Sequence, residues 1–134
     1  MKNKGMLAKI EKDEREIEKG SDYNKVILMG NLTENPELRY TPNGAAVASL
    51  RLAVSHRYRQ KNEIKDDVSH FNIVTFGEQA ESCAEHLSKG GYILIDGRLQ
   101  ERRWEAEGEQ RRAEIEVVAS RIYSLGELKK LSSE

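Results

Sequence analysis

The stretch Asn24-Lys-Val-Ile-Leu-Met-Gly-Asn-Leu32, followed by Asn35-Pro-Glu-Leu-Arg-Tyr40 and Pro42-Asn-Gly44, decides how this chain folds. Its hydrophobic residues change sides at every step, which is the period of a β-strand. Val26 and Leu28 fall on one side, Ile27 and Met29 on the other. A strand that is apolar on both sides needs cover on both. The interior of a barrel can supply one cover and a second subunit the other. Gly30 within the run marks a bulge or sharp bend of the kind a closing barrel needs. Pro36 and the Thr41-Pro-Asn-Gly44 run then punctuate a short second strand and a turn.

The same period continues outward from this segment. Ala46, Ala48, Leu50, Leu52 and Val54 form an inward set, with Val47, Ser49, Arg51, Ala53 and Ser55 facing the other way. Arg57 to Asp67 is polar and charged apart from Tyr58 and Ile64, and reads as the mobile end of a long hairpin. Ser69 to Phe76 returns, with His70, Asn72, Val74 and Phe76 on one side and Phe71, Ile73 and Thr75 on the other. From Glu78 to Ser88 the spacing becomes helical, with Ala80, Cys83, Ala84 and Leu87 in one stripe and Gly90-Gly91 as the stop. Tyr92 to Trp104 is a long strand and Glu105 to Gln110 a polar turn. Arg112 to Ile122 is the last strand, with Ala113, Ile115, Val117 and Ala119 inward. The expectation is an all-β, five-stranded Greek-key barrel of the oligonucleotide-binding type, with one helix between strands 3 and 4. Residues 1–22 read as an N-terminal helical or disordered extension, 23–124 as the barrel domain and 125–134 as a short tail. Tyr40 and Tyr92 read as packing residues.

Composition narrows the class. A chain of 134 residues is one domain, and a hydrophobic fraction of 37% beside a charged fraction of 34% suits a small barrel whose strands face solvent on alternate residues. Formal net charge is −1 and no region is basic overall, so any nucleic-acid site must come from arrangement rather than bulk charge. A single cysteine, Cys83, excludes an intrachain disulfide and a Cys-rich zinc site. No apolar run is long enough to span a membrane. Acidic residues stand where a signal peptide would need an apolar core, and the expected location is cytoplasmic, nucleoid-associated.

Rings and cations are distributed along the later strands. Tyr58, Phe71, Phe76 and Trp104 are interleaved with Arg39, Arg57, Arg59, Arg98, Arg102 and Arg103. Flat rings beside fixed positive forks can hold unpaired bases without reading their order. Single-stranded nucleic acid is therefore the ligand class that the residues indicate. Nothing in them reports on a 2′-hydroxyl, so RNA stays open.

The opening Asn-Lys-Val-Ile-Leu-Met-Gly-Asn-Leu, then Pro36-Glu-Leu-Arg-Tyr40 and Pro42-Asn-Gly44, resembles the bacterial single-stranded DNA-binding proteins. Leu52-Ala53, Val74-Thr-Phe-Gly77, Leu87-Ser-Lys-Gly90, Gly97-Arg-Leu99 and Arg103-Trp104 extend the likeness from Asn24 to Ile122. The resemblance implies an oligonucleotide-binding barrel that assembles as a homotetramer and protects single-stranded DNA in replication, recombination and repair. It places stacking rings at Tyr58, His70, Phe76 and Trp104. It places phosphate contacts at Lys25, Arg39, Arg59, Lys61, Lys89, Arg102 and Arg103, and Arg98, from the cations read along the strands, is expected as a further one. Departures from the family pattern are His70 at a position often Trp or Phe, Glu78 at one often basic, and an ending at Leu131-Ser-Ser-Glu134. The family's usual acidic tip with a final aromatic, through which replication and repair proteins dock, has no counterpart there.

Other chemistries find less to stand on. His56, His70 and His86 are scattered, and no HxxxH, CxxC or Walker-type loop occurs, so neither an enzyme nor a cofactor or metal site is expected. Cys83, on an apolar helical stripe, reads as a small buried hydrophobe. Arg102 shares a strand face with Arg98, and Arg103 points opposite. The competing reading is a primosomal assembly factor of the same fold, binding protein partners first and DNA weakly.

Overall fold

The computed structural model describes residues 22–105 and 111–126. The expected N-terminal extension, helical or disordered, lies outside them up to residue 21, as do the turn tip at 106–110 and the tail beyond 126. Strands β1 (Val26–Leu32), β2 (Glu37–Tyr40), β3 (Ala46–Gln60) and β4 (Glu63–Phe76) come first. Helix α1 (Gly77–His86) and strands β5 (Tyr92–Glu105) and β6 (Arg111–Gly126) follow. The sheet runs β1-β5-β6-β4-β3 and closes where β3 returns to β1, at Asn31↔Ala53 and Leu32↔Leu52. All pairings are antiparallel except β4 with β6. The short β2 lies on the outer edge of β3, against Ala46–Ser49. Without it the barrel has five strands, with the helix between the third and fourth, as the sequence pattern predicts.

Alternation builds the interior. Leu32, Ala48, Leu50, Leu52, Ile73, Ile93, Ile95 and Val117 are buried in one cluster, and Val26, Leu28, Phe71 and Leu87 pack against it. Each fully buried Leu, Ile or Val side chain among them contributes about 1.5–3 kcal/mol. Phe71 thus faces inward, on the side its strand parity assigns. Helix α1 closes the barrel with Ala80 and Cys83 buried. The Gln79 side chain ties α1 to β6. Its amide nitrogen donates to Thr75 Oγ1 at 2.8 Å and to the Ser120 carbonyl at 3.2 Å, and its oxygen accepts the Ile122 N–H at 3.1 Å.

Some expectations are revised. Gly30 sits in an unbroken register with Ile93, so it is not a bulge. It is needed because β3 crosses closely: a Cβ there would lie 2.2 Å from the Ala53 carbonyl oxygen. The ladder irregularities fall in β5–β6 instead, at Tyr92/Ile93 and Asp96/Gly97. The segment 57–67 is the end of a long hairpin, as expected, and it is strand almost to its tip. The β3–β4 ladder runs to Gln60↔Glu63, and Lys61 and Asn62, both at positive φ, make a tight two-residue turn. Ile115 is exposed rather than inward, because β5 and β6 continue as a ribbon past the barrel end. Tyr40 is exposed as well, since β2 is an edge strand. Finally, β6 runs to Gly126, past the expected strand end at Ile122.

Candidate nucleic-acid interface

The barrel's outer face is assembled from strand parity. Val47, Val74 and Val118 form a second, smaller cluster on that face. Val47 pairs with Phe76, Val74 with Val118, and Val118 with Arg98. Phe76 and Arg98 are thereby placed on one surface. His70 shares the parity of Phe76 along β4, and Gln100, Arg102 and Trp104 share that of Arg98 along β5. Three of the four expected stacking rings, His70, Phe76 and Trp104, therefore lie on a single curved face and are exposed.

Trp104 and Arg102 form a unit there. The Arg102 guanidinium stands 4.8 Å from the centre of the indole. That contact orders both groups and leaves the ring's other face available to a base. Arg98 Nη1 donates to Gln100 Oε1 at 3.0 Å on the same side of β5. Arg103 points away, paired with the Glu101 carboxylate, which raises its guanidinium pKa through a hydrogen bond and charge attraction. The face expected for Arg102 and Arg98 is thus the one found, and Arg103 is not brought to it.

Tyr58 is not brought to that face either. It has the opposite parity on β3, faces Lys65 across the ladder, and stacks on His56 with ring centres 5.7 Å apart at 15°. The ring remains part exposed beyond the barrel end. The other expected phosphate contacts are scattered. Arg39 Nη1 donates to Ser49 Oγ at 3.0 Å on the outer face of β2 and β3. Lys25 is 3.5 Å from Asp96 in an ion pair near the start of β1. Arg59 and Lys61 are exposed near the β3–β4 turn, and Lys89 is exposed after α1, its main-chain N–H held by Asn35 Oδ1 at 2.8 Å.

Two features were not among the expected site residues, although the alternation had already turned Arg51 outward. Arg51 occupies the outer face of β3 and donates to Asn72 Oδ1 at 2.8 Å. Beside it lies a groove of about 260 Å³ whose lining includes Glu34, Glu37, Asn72, Arg102, Glu114 and Glu116. Part of the signal for Glu114 and Glu116 was present, since they alternate with Ile115 and Val117; the β5–β6 register then puts them on the face of Arg98 and Arg102. A second groove, of about 350 Å³, lies between α1 and β6 and is away from the rings. Among the described residues no cluster of His, Cys, Asp and Glu could hold a metal ion, and no helix is long and apolar enough to cross a membrane.

Known proteins share this architecture. A solved structure of a deletion variant of the single-stranded DNA binding protein from Thermus aquaticus superposes with a TM-score of 0.69 at 36% sequence identity. The match covers 77% of this chain and 50% of that one, so the chain spans half the length of that protein. Residues 23–125, from just before β1 almost to the end of β6, match the family model described as the single-strand binding protein family, and the chain belongs to that family.

Proposed function

We propose that this chain binds single-stranded DNA by stacking bases on Trp104, Phe76 and His70, with Tyr58 as a further ring on the projecting β3–β4 hairpin. The observation that carries the reading is the shared outer face of His70, Phe76, Arg98, Arg102 and Trp104. Each exposed ring offers about 1–3 kcal/mol per stacked base, a range that comes from proteins of this kind. Duplex DNA keeps its base faces covered, so selectivity for single strands follows from the stacking itself. Arg102 and Arg98 hold phosphates beside the rings, with Arg39, Arg59, Lys61 and Lys89 as further contacts along the strand's path. Lys25 and Arg103 contribute less, because each already has a carboxylate partner.

Family members are binding proteins rather than enzymes. The proposed role is protection of exposed single strands in replication, recombination and repair, in the cytoplasm and on the nucleoid. The proposed assembly is a homotetramer. It is supported by the row Met29–Leu94–Tyr123 across β1, β5 and β6, an apolar strip with Met29 and Tyr123 exposed on the outer sheet surface. A second reading, an assembly factor that binds replication proteins first, is favoured by the near-balanced charge.

Fluorescence separates the two. Trp104 is the sole tryptophan, so its emission has one source. Titration with oligo-dT, matched duplex and oligo-U at low and high salt should give strong quenching by the DNA single strand, little by duplex, and weaker affinity at high salt. Absence of quenching in a folded protein would move Trp104 out of the interface and favour the assembly factor. Equal response to oligo-U would extend the ligand to RNA.

A further inference from the structure

His70 and Phe76 stand six residues apart on β4, about 20 Å at the rise of an extended strand. DNA stacked on both rings has to carry the phosphates between them across the middle of the outer face. Arg39 and Arg98 each reach this stretch from two strands away. Arg39 does so through Val47 to Phe76, and Arg98 through Val118 to Val74. Arg51 is closer. It pairs with Asn72 across β3 and β4, on the adjoining strand and between the two rings, two residues from His70 and four from Phe76.

What Arg51 touches matters as much as where it stands. Its Nη1 donates to the Asn72 side-chain oxygen at 2.8 Å. That acceptor is uncharged, so the bond orients the guanidinium without compensating its charge, and it uses one of five N–H donors. Arg39 and Arg98 are held in the same way, by Ser49 and Gln100. Away from the rings the partners are carboxylates instead: Asp66 for Arg57, at 2.9 Å, and Glu101 for Arg103. Among the described residues Arg51 has no carboxylate partner. A guanidinium that is oriented and still carries its full charge can give a phosphate two parallel N–H bonds.

We propose that Arg51 is a phosphate-binding residue of this face and that Asn72 is its positioning residue. Arg51 takes a backbone phosphate between the bases stacked on His70 and Phe76. The inference rests on the DNA-binding reading above and adds the group that holds the backbone between those two rings. A contact to phosphate carries no sequence information, so Arg51 serves every base alike.

The test is fluorescence anisotropy with end-labelled oligo-dT and oligo-dC of equal length over a salt series. The proteins are the full chain and its variants Arg51→Ala, Arg51→Gln and Asn72→Ala, with circular dichroism verifying each fold. Arg51→Ala should bind both oligonucleotides more weakly, by the same factor. Its slope of log affinity against log salt should become shallower by about 0.7 per protomer engaged, the release expected from one phosphate contact on a single strand. Arg51→Gln removes the charge but keeps an amide that can bond Asn72. It should lose the same slope, and it keeps the test open if the alanine variant does not fold. Asn72→Ala frees the guanidinium without removing its charge, so it should weaken binding while the slope stays that of the wild type. A wild-type slope in the folded Arg51 variants would overturn the proposal and leave the Arg51–Asn72 bond as a cross-strand tie. A loss confined to one of the two oligonucleotides would overturn it as well, and an unchanged affinity for Asn72→Ala would overturn the positioning role. If the wild type binds neither oligonucleotide, the DNA-binding reading itself fails and takes the inference with it.

Discussion

At the scale of single residues, neighbours in sequence have been given opposite tasks. Arg102 lies over the Trp104 ring on the outer face, while Arg103 turns the other way to Glu101. Trp104→Ala should weaken single-strand binding by about 1–3 kcal/mol, the worth of one stacked base. Arg102→Ala should cause a clear loss too, since it removes both a proposed phosphate contact and the group that stands over the ring. Arg103→Ala should change affinity by less than about two-fold, as an exposed ion pair is worth little. Anisotropy of a labelled oligonucleotide reads all three variants, and a loss for Arg103→Ala equal to that for Arg102→Ala would contradict the assigned faces. Gly30 is a different kind of constraint. A Cβ 2.2 Å from a main-chain oxygen of β3 cannot be relieved by a side-chain rotation. Gly30→Ala should destabilise the barrel by about 3 kcal/mol, near the upper end for overpacking, measured by urea unfolding.

Among the elements, the helix is the one whose attachment can be titrated. Cys83 is buried on the inner side of α1, and burial pushes its thiol pKa up because the thiolate would lose its hydration. The unfolded chain ionises this thiol from about pH 9 upward, whereas the folded chain holds the proton to higher pH. The unfolded state then binds fewer protons than the native state, so stability falls as pH rises through that window. Below it the thiol is protonated in both states and contributes no slope. Urea unfolding at pH 7 and pH 10 should show a larger alkaline loss for the wild type than for Cys83→Ala. Equal losses would mean that Cys83 ionises as freely in the folded protein as in the unfolded one. The strands show why element boundaries were harder to read than element types. The polar segment 57–67 was legible as a hairpin end, but its lack of apolar residues hid how far the ladder runs, with both flanks extended and solvated on both faces.

At the scale of the whole molecule, charge balance and sheet surface set the expectations. Net charge is −1, and two candidate cations are already paired with carboxylates. Six remain to neutralise phosphates, Arg39, Arg59, Lys61, Lys89, Arg98 and Arg102, and Arg51 makes a seventh. At roughly 0.7 counterions released per contact on single strands, the slope of log affinity against log salt should be no steeper than about −5 per protomer. A steeper slope would show that the paired cations also take part. The apolar row on the outer sheet calls for a cover. Met29→Glu places a charge in that row, and light scattering should show the assembly shifting towards monomer while circular dichroism stays unchanged. An unchanged mass would place the subunit contacts elsewhere.

Read alone, the sequence determined the strand alternation, the inward residues, the helix position and the separation of Arg102 from Arg103. Each of these is a local periodicity: two residues per repeat in a strand and 3.6 in a helix. The family resemblance implied the rings and cations, and the fold is the one it implied. Only the tertiary structure decided which rings share a surface. His70, Phe76 and Trp104 come together because β4 pairs with β6, and β6 with β5, a register that no local pattern reports. Pairing of distant strands also put four glutamates into one groove from a loop, β2 and β6, whereas the side of Tyr58 follows from parity along β3. Closure of the barrel fixed the need for Gly30 as well, since the clash involves a carbonyl on β3, far along the chain. Alternation is written in neighbouring residues, whereas the shape of a binding face depends on which distant strands meet and in what register.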